Sequence, residues 1–224
     1  MILTTVNIED APENIRKPLG LLTGEAQDLF CAWTIFKDIS IEVPETIALI
    51  NKTSPFFFIR VQNILFEHLI IGVARLTDPP SQFGHRNLTL HDLFDRQKPT
   101  QLGELETMAG NIREIRRKIV GHLDYKCGID PSSLPNKGII AEIRKSLELI
   151  DEILQLAWER STGNIYSISS MGVSETVEIL KCLQKAEIYD RLEKNKAVPE
   201  GLWNYPEDLI QNYLGTLTQA RKDS

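Results

Sequence analysis

Apolar residues recur along this chain at intervals of three and four, the spacing that lines one face of an α-helix. No stretch sustains the period of two that a half-buried strand needs. Leu29, Phe30, Trp33 and Phe36 define one such face and predict a helix over residues 24–38. A second helix starts at Ser54-Pro55, where a capping hydroxyl precedes a proline whose missing N–H is harmless in a first turn. Its apolar positions include Ile59, Leu65, Leu69 and Val73, and it reads as a buried core helix with Phe56-Phe57-Phe58 packed at its start. Pro79 and Pro80 stop it near Asp78, because the residue before a proline is pushed out of helical backbone.

A polar loop over 81–86 leads to a short helix over 88–94. A third long helix is expected over 102–125, then a turn-rich break over 128–138, then a fourth long helix over 139–159. Ile143, Leu147, Ile150, Leu154 and Trp158 share one side of that fourth helix. The fold class that follows is all-α, an antiparallel bundle of four to five helices. Residues 1–21 read as an N-terminal arm, 22–160 as the bundle, and 161–224 as a C-terminal helical appendage. The appendage opens with a stretch rich in Ser and Gly over 161–172 and carries helices over 174–193 and 206–221, the first capped by Ser174.

Charge and composition narrow the function. A formal net charge of -6 argues against a broad, non-specific nucleic-acid binder, which is normally basic, and leaves room only for a local basic site. Cys31, Cys127 and Cys182 are far apart and form no CxxC pair, which fits free thiols in a reducing cytoplasm and neither a disulfide framework nor a zinc site. The N-terminus lacks the layout of a signal peptide. The most apolar stretch carries Arg60, Glu67, His68 and Arg75, too many ionisable groups for a membrane span. Glycine-rich phosphate loops are absent, and His91 with Asp95 offers only two ligands at helical spacing, so neither a cofactor nor a metal is expected. His68, on the apolar helix, reads as a buried and satisfied core histidine.

One segment concentrates reactive groups: Arg116-Arg117-Lys118-Ile119-Val120-Gly121-His122-Leu123-Asp124, at the end of the third long helix. Histidine exchanges protons near neutral pH, and arginine stays charged and grips phosphate oxygens. Lys118 and His122 share a face of a straight α-helix, as do Glu114 and Lys118. Arg117 lies about 140° around from His122 and Arg116 about 120° away on the other side. Arg113 and Arg117 extend the positive cluster by one turn. The same residues also fit a plain helix end, with the arginines paired to Glu114, Asp124 and other carboxylates.

The segment resembles the signature of the HEPN superfamily, an arginine followed four to six residues later by a histidine on a late bundle helix. Four residues separate Arg117 from His122, and five separate Arg116 from it. A second stretch resembles the abortive-infection U-like branch of that superfamily: Glu67 to Asp78, ending Arg75-Leu76-Thr77-Asp78, followed by Asn87-Leu88-Thr89-Leu90. Its members carry a similar helix end, a similar short element, and an R-x-K-x-x-A/G-H-x-D helix. In that register Arg116, Lys118, His122 and Asp124 take the motif positions, and the resemblance spans residues 22–158.

The resemblance implies a metal-independent ribonuclease that acts as a toxin or phage-defence effector, built as a homodimer with two motifs facing each other across a cleft. His122 would be the acid and base, Arg116 or Arg117 the phosphate stabiliser, Arg113 and Lys118 contacts to RNA, and Asp124 an orienting group. A protein antitoxin is the further partner it implies. Two positions depart from the pattern. The residue after the motif arginine is often Asn, Asp or His in active members and is Arg117 here, or Lys118 in the other register. Where some members carry a tyrosine modified by a partner nucleotidyltransferase, this chain has Asp124, with Tyr125 one residue further on. A catalytically silent bundle that binds RNA or protein, and a purely structural helical dimer, are the competing readings.

Overall fold

The computed structural model describes residues 8–41, 44–82, 84–94, 97–120, 138–168 and 175–194. The chain divides into two compact units, Met1–Glu178 and Ile179–Ser224. Among its described residues the first is helical apart from loops and a hairpin of two two-residue strands. Its helices are α1 (Glu13–Ser40), α2 (Pro44–Thr53), α3 (Pro55–Thr77), α4 (Thr100–Ile115) and α5 (Ile139–Thr162). A 3-10 turn, Leu90–Leu93, stands where the short helix was expected, and the polar loop holds a hairpin of Ser81–Gln82 against His85–Arg86. A further helix, α6 (Glu175–Lys194), matches the one expected over 174–193, and its Ile179 and Ile188 are exposed. The helix expected over 206–221 lies outside the described residues.

Four helices close a ring: α1 packs on α3, α3 on α4, α4 on α5, and α5 back on α1. All five apolar residues expected to line one side of α5, Ile143, Leu147, Ile150, Leu154 and Trp158, are buried in this core. The Trp158 indole donates to the Thr23 hydroxyl at 3.0 Å, which satisfies its only polar atom inside the bundle. After α5 the chain is strapped back onto it. Buried Asp151 accepts from the Ile168 N–H at 2.8 Å and from the Ser167 hydroxyl at 3.2 Å, and the Tyr166 ring lies against Trp158.

Several expectations are corrected. Helix α1 starts at Glu13 instead of near residue 24, despite Pro18 in its second turn. An interior proline costs a helix about 3 kcal/mol, but Leu19 and Leu22 extend the buried face of α1 past it. Helix α2 was not anticipated; it buries Leu49 and Ile50 on a stretch too short to show a clear period. Helix α3 is a core helix mainly over its second half, from Leu69 on, with Phe58 the one buried ring at its start. Phe58 is 9% exposed, but Phe56 is 84% and Phe57 60% exposed, and Ile59 and Ile64 are exposed as well. Three consecutive helical positions point in different directions, so one face of the bundle can cover only one of the three rings. His68 is not buried either: it sits at the surface between α1 and α3 with Nε2 2.8 Å from an Asp28 carboxylate oxygen.

Candidate functional site

Helix α4 is held to the core by Leu105, Ala109, Ile112 and Ile115, spaced at four, three and three. Straight after Ile115 the backbone widens: Arg116–Val120 is a π-helical turn. A π turn bonds each N–H to the carbonyl five residues back, one more than in an α-helix, and such turns recur at functional sites. The angular relations of a straight α-helix therefore stop at Ile115. The first three residues of this turn are Arg116, Arg117 and Lys118.

The basic side chains divide sharply by their surroundings. Arg113 donates from Nη1 to the Thr77 carbonyl at 2.9 Å and from Nη2 to the Glu106 carbonyl at 2.8 Å. Thr77 closes α3, so its carbonyl has no partner within that helix, and a cation there also meets the negative end of the helix dipole. Arg116 donates from Nη1 to Asp78 Oδ2 at 2.6 Å, with the arginine side chain 28% exposed and the aspartate 13%. Lys118 pairs with Glu114 at 2.7 Å across the junction of α4 and the π turn. The hydrogen bond and charge of Lys118 hold the Glu114 carboxyl below the usual glutamate range, with Arg117 adding a smaller pull. Arg117 itself is exposed and has no hydrogen-bond or ion-pair partner among the described residues.

The receiving end of this network is the close of α3 and the segment after it. Asp78 caps α3 in extended backbone (φ −61°, ψ 154°), the conformation that Pro79 enforces. Asn87 returns to the same corner, its backbone N–H donating to the Pro80 carbonyl at 2.8 Å and its amide to the Pro79 carbonyl at 2.9 Å. Two residues later the Thr89 N–H donates to Asp92 Oδ2 at 2.9 Å, while Arg86 holds the other Asp92 oxygen at 3.0 Å. Thr77, Asp78, Asn87 and Thr89 are thus the fastenings of one corner, and Arg113 and Arg116 lock the end of α4 onto it.

A second polar cluster lies beside it. His91, 7% exposed, has Nε2 2.8 Å from Glu106 Oε1, within ion-pair distance but off the line of a hydrogen bond. Lys98 Nζ lies 2.9 Å from His91 Nδ1. Burial pushes the His91 pKa down, Lys98 pushes the same way, and Glu106 opposes both. A neutral ring with its proton on Nε2 accepts from Lys98 at Nδ1, so the contacts and the direction of the shift agree. Asp95, the i,i+4 neighbour of His91 noted from the sequence, lies outside the described residues; among those described, Glu106 from α4 and Lys98 engage this ring.

Of the residues singled out in the sequence, the fold brings Arg113, Arg116, Arg117 and Lys118 together at one end of the bundle. His122 and Asp124 lie outside the described residues, as does Cys127. Asp78 and Glu106 were not picked as partners of the arginines. For Asp78 a signal was at hand, since it closes the Arg75-Leu76-Thr77-Asp78 stretch singled out for a different reason. For Glu106 there was none, because it serves Arg113 through a backbone carbonyl.

Compared with known families, the chain is matched over residues 19–171 by the model of one family, described as HEPN_AbiU2: AbiU2. No curated protein and no solved structure matches it.

Proposed function

The chain belongs to the AbiU2 family of HEPN domains, and from that premise we propose that it is a metal-independent endoribonuclease acting as a toxin or phage-defence effector. The observation that carries this reading is the π turn Arg116–Val120, which precedes His122 in the sequence and carries an exposed Arg117, without an ion-pair partner among the described residues, beside an anchored Arg116. The turn sets three successive cations, one of them exposed, in an acidic chain, a local site where a phosphate can be held without general affinity for polyanions.

In the proposed reaction an RNA 2′-hydroxyl attacks the adjacent phosphorus. The O–P bond to the next 5′-oxygen breaks, leaving a 2′,3′-cyclic phosphate and a 5′-hydroxyl. His122 takes the proton of the attacking hydroxyl or supplies one to the leaving oxygen, work suited to a group that titrates near neutral pH. A guanidinium of the Arg116–Arg117 pair stabilises the charge growing on the phosphoryl oxygens. Need for the 2′-hydroxyl confines cleavage to RNA. Lys118 and Arg113 border the phosphate path, Asp124 orients the imidazole, and two copies pair so that their motifs share a cleft. Cytoplasmic RNA is the substrate, and a protein antitoxin the natural restraint on such an enzyme.

A second reading is a silent bundle that binds RNA or a protein. It is favoured by the internal engagement of Arg113, Arg116 and Lys118, which leaves less free positive charge than the sequence suggests. Incubation of RNA with the wild type and with His122→Ala, in chelator, separates the two. Chelator-resistant cleavage that His122→Ala abolishes supports the enzyme. Equal cleavage by both proteins, or by neither, removes it, and retention of intact RNA by the wild type then points to the binder.

A further inference from the structure

Two adjacent arginines reach the candidate surface, and their environments are opposite. Arg116 is held by a carboxylate 2.6 Å away that is itself only 13% exposed. To turn toward an RNA phosphate it would have to abandon that carboxylate in a largely dry corner, where an unpaired charge is heavily penalised. Arg117 faces no such penalty: it is exposed and has no ion-pair partner among the described residues. The two also differ in what they join. The Arg116–Asp78 pair ties the π turn to the end of α3, across 38 residues of sequence, whereas Arg117 makes no such bond among the described residues.

We infer that Arg117 is the phosphate-contacting guanidinium of this surface, and that Asp78 is a positioning residue which, by holding Arg116, sets the turn from which Arg117 projects. The cleavage side of this assignment rests on the ribonuclease reading; the RNA-contact side does not. Arg116 then serves geometry instead of substrate. The charge of Arg116 is already matched by Asp78, while that of Arg117 is available to a polyanion. The neighbouring bonds point the same way. Arg113 fastens to the Thr77 carbonyl one residue before Asp78, so two successive residues at the end of α3 each take one guanidinium from the end of α4. A turn fixed twice on one side presents its next residue in a defined direction, which a phosphate contact requires.

The test uses the full-length protein and a fluorescent single-stranded RNA oligonucleotide, with affinity measured across salt concentrations and cleavage followed under saturating and limiting RNA. Each phosphate contact to a single strand contributes about 0.7 to the slope of log affinity against log salt. Arg117→Ala is expected to weaken binding about tenfold and to lower that slope by about 0.7, with an unchanged melting temperature. Arg116→Ala and Asp78→Asn are expected to keep the slope, melt earlier and lose kcat more than KM. The deciding variant is the exchanged pair, Asp78→Arg with Arg116→Asp, which restores the bridge with the charges reversed. Recovery of turnover in the exchanged pair above either single variant supports positioning. Turnover no better than Arg116→Ala alone overturns it. Asp78→Glu and Arg116→Lys, which keep the charges, serve where a harsher variant does not fold.

A salt slope that drops with Arg116→Ala and not with Arg117→Ala overturns the assignment and leaves the ribonuclease reading intact. A wild type that binds RNA through Arg117 and never cleaves it removes the ribonuclease reading and leaves the phosphate contact standing. A wild type that does not bind RNA overturns both.

Discussion

Asp78 and Arg116 meet at 2.6 Å, joining the residue that caps α3 to the first residue of the π turn beyond α4. Each belongs to one of the two separate stretches whose pattern resembles HEPN proteins of the abortive-infection type. The fold brings the two stretches together through this pair and through the neighbouring bond from Arg113 to the Thr77 carbonyl. Residues that look like independent marks in the sequence are therefore two halves of one joint.

The joint should be measurable in stability. A hydrogen bond to a charged group contributes about 1.5–3 kcal/mol, and Asp78→Asn is expected to lose about that much by urea denaturation. Removing both partners, Asp78→Asn with Arg116→Met, should cost less than the sum of the single losses, because neither charge is then left alone. Additive losses would mean that the two groups do not interact in solution.

The buried imidazole of His91 makes stability depend on pH. Its pKa is lowered in the folded protein from an ordinary value of 6.5, so the unfolded chain takes up the proton first as the solution is acidified. The contribution is complete above pH 6.5 and is lost as pH falls from there toward the folded-state value. The limiting slope is about 1.4 kcal/mol per pH unit. His91→Gln should flatten this part of the curve in denaturation series from pH 7.5 to 5. A variant that declines as steeply as the wild type would remove His91 as the cause.

Helices α1 and α3 approach closely at Gly72. A methyl group placed there would lie closer than 3.0 Å to three atoms of the Leu29 side chain. Leu29 is fully buried and cannot swing away freely. Gly72→Ala is expected to lower stability by about 1–3 kcal/mol through overpacking, which outweighs the gain of about 1 kcal/mol that alanine normally brings to a helix. A rise in the urea midpoint would show that the two helices can move apart at little cost.

The start of α3 offers a contrast within three residues. Phe58 is 9% exposed and Phe56 is 84% exposed. Phe58→Ala should cost about 3 kcal/mol or more, and Phe56→Ala no more than about 0.5 kcal/mol. Thermal melts of the two variants at equal protein concentration decide it. Comparable losses from both would mean that the Phe56 ring is covered in solution.

Where a face was continuous, the sequence was easy to read. Ile143, Leu147, Ile150, Leu154 and Trp158 lie along one side of α5 at intervals of three and four, and all five are buried. The end of α3 was equally plain, because two successive prolines, Pro79 and Pro80, follow Asp78 and disfavour helical backbone from there on. Helix α2 and the early start of α1 were not legible. In α2 the apolar run is short, and in α1 Pro18 argues against helix until the burial of Leu19 and Leu22 is known. The basic cluster could be located but not interpreted: Arg113, Arg116, Arg117 and Lys118 read as four similar cations, and three of them have partners.

Two kinds of information are thus separable in this protein. Helical period, proline stops and the clustering of basic residues ahead of His122 are local, since each depends on residues within a few turns of one another, and these already specify an all-α chain and the segment worth testing. Whether Phe56 or Phe58 is covered, and which of Arg116 and Arg117 is held by a carboxylate at the end of α3, depends on elements that approach only after the bundle closes. Asp78 reaches Arg116 because α3 and α4 pack side by side, and no pattern confined to either helix carries that distance.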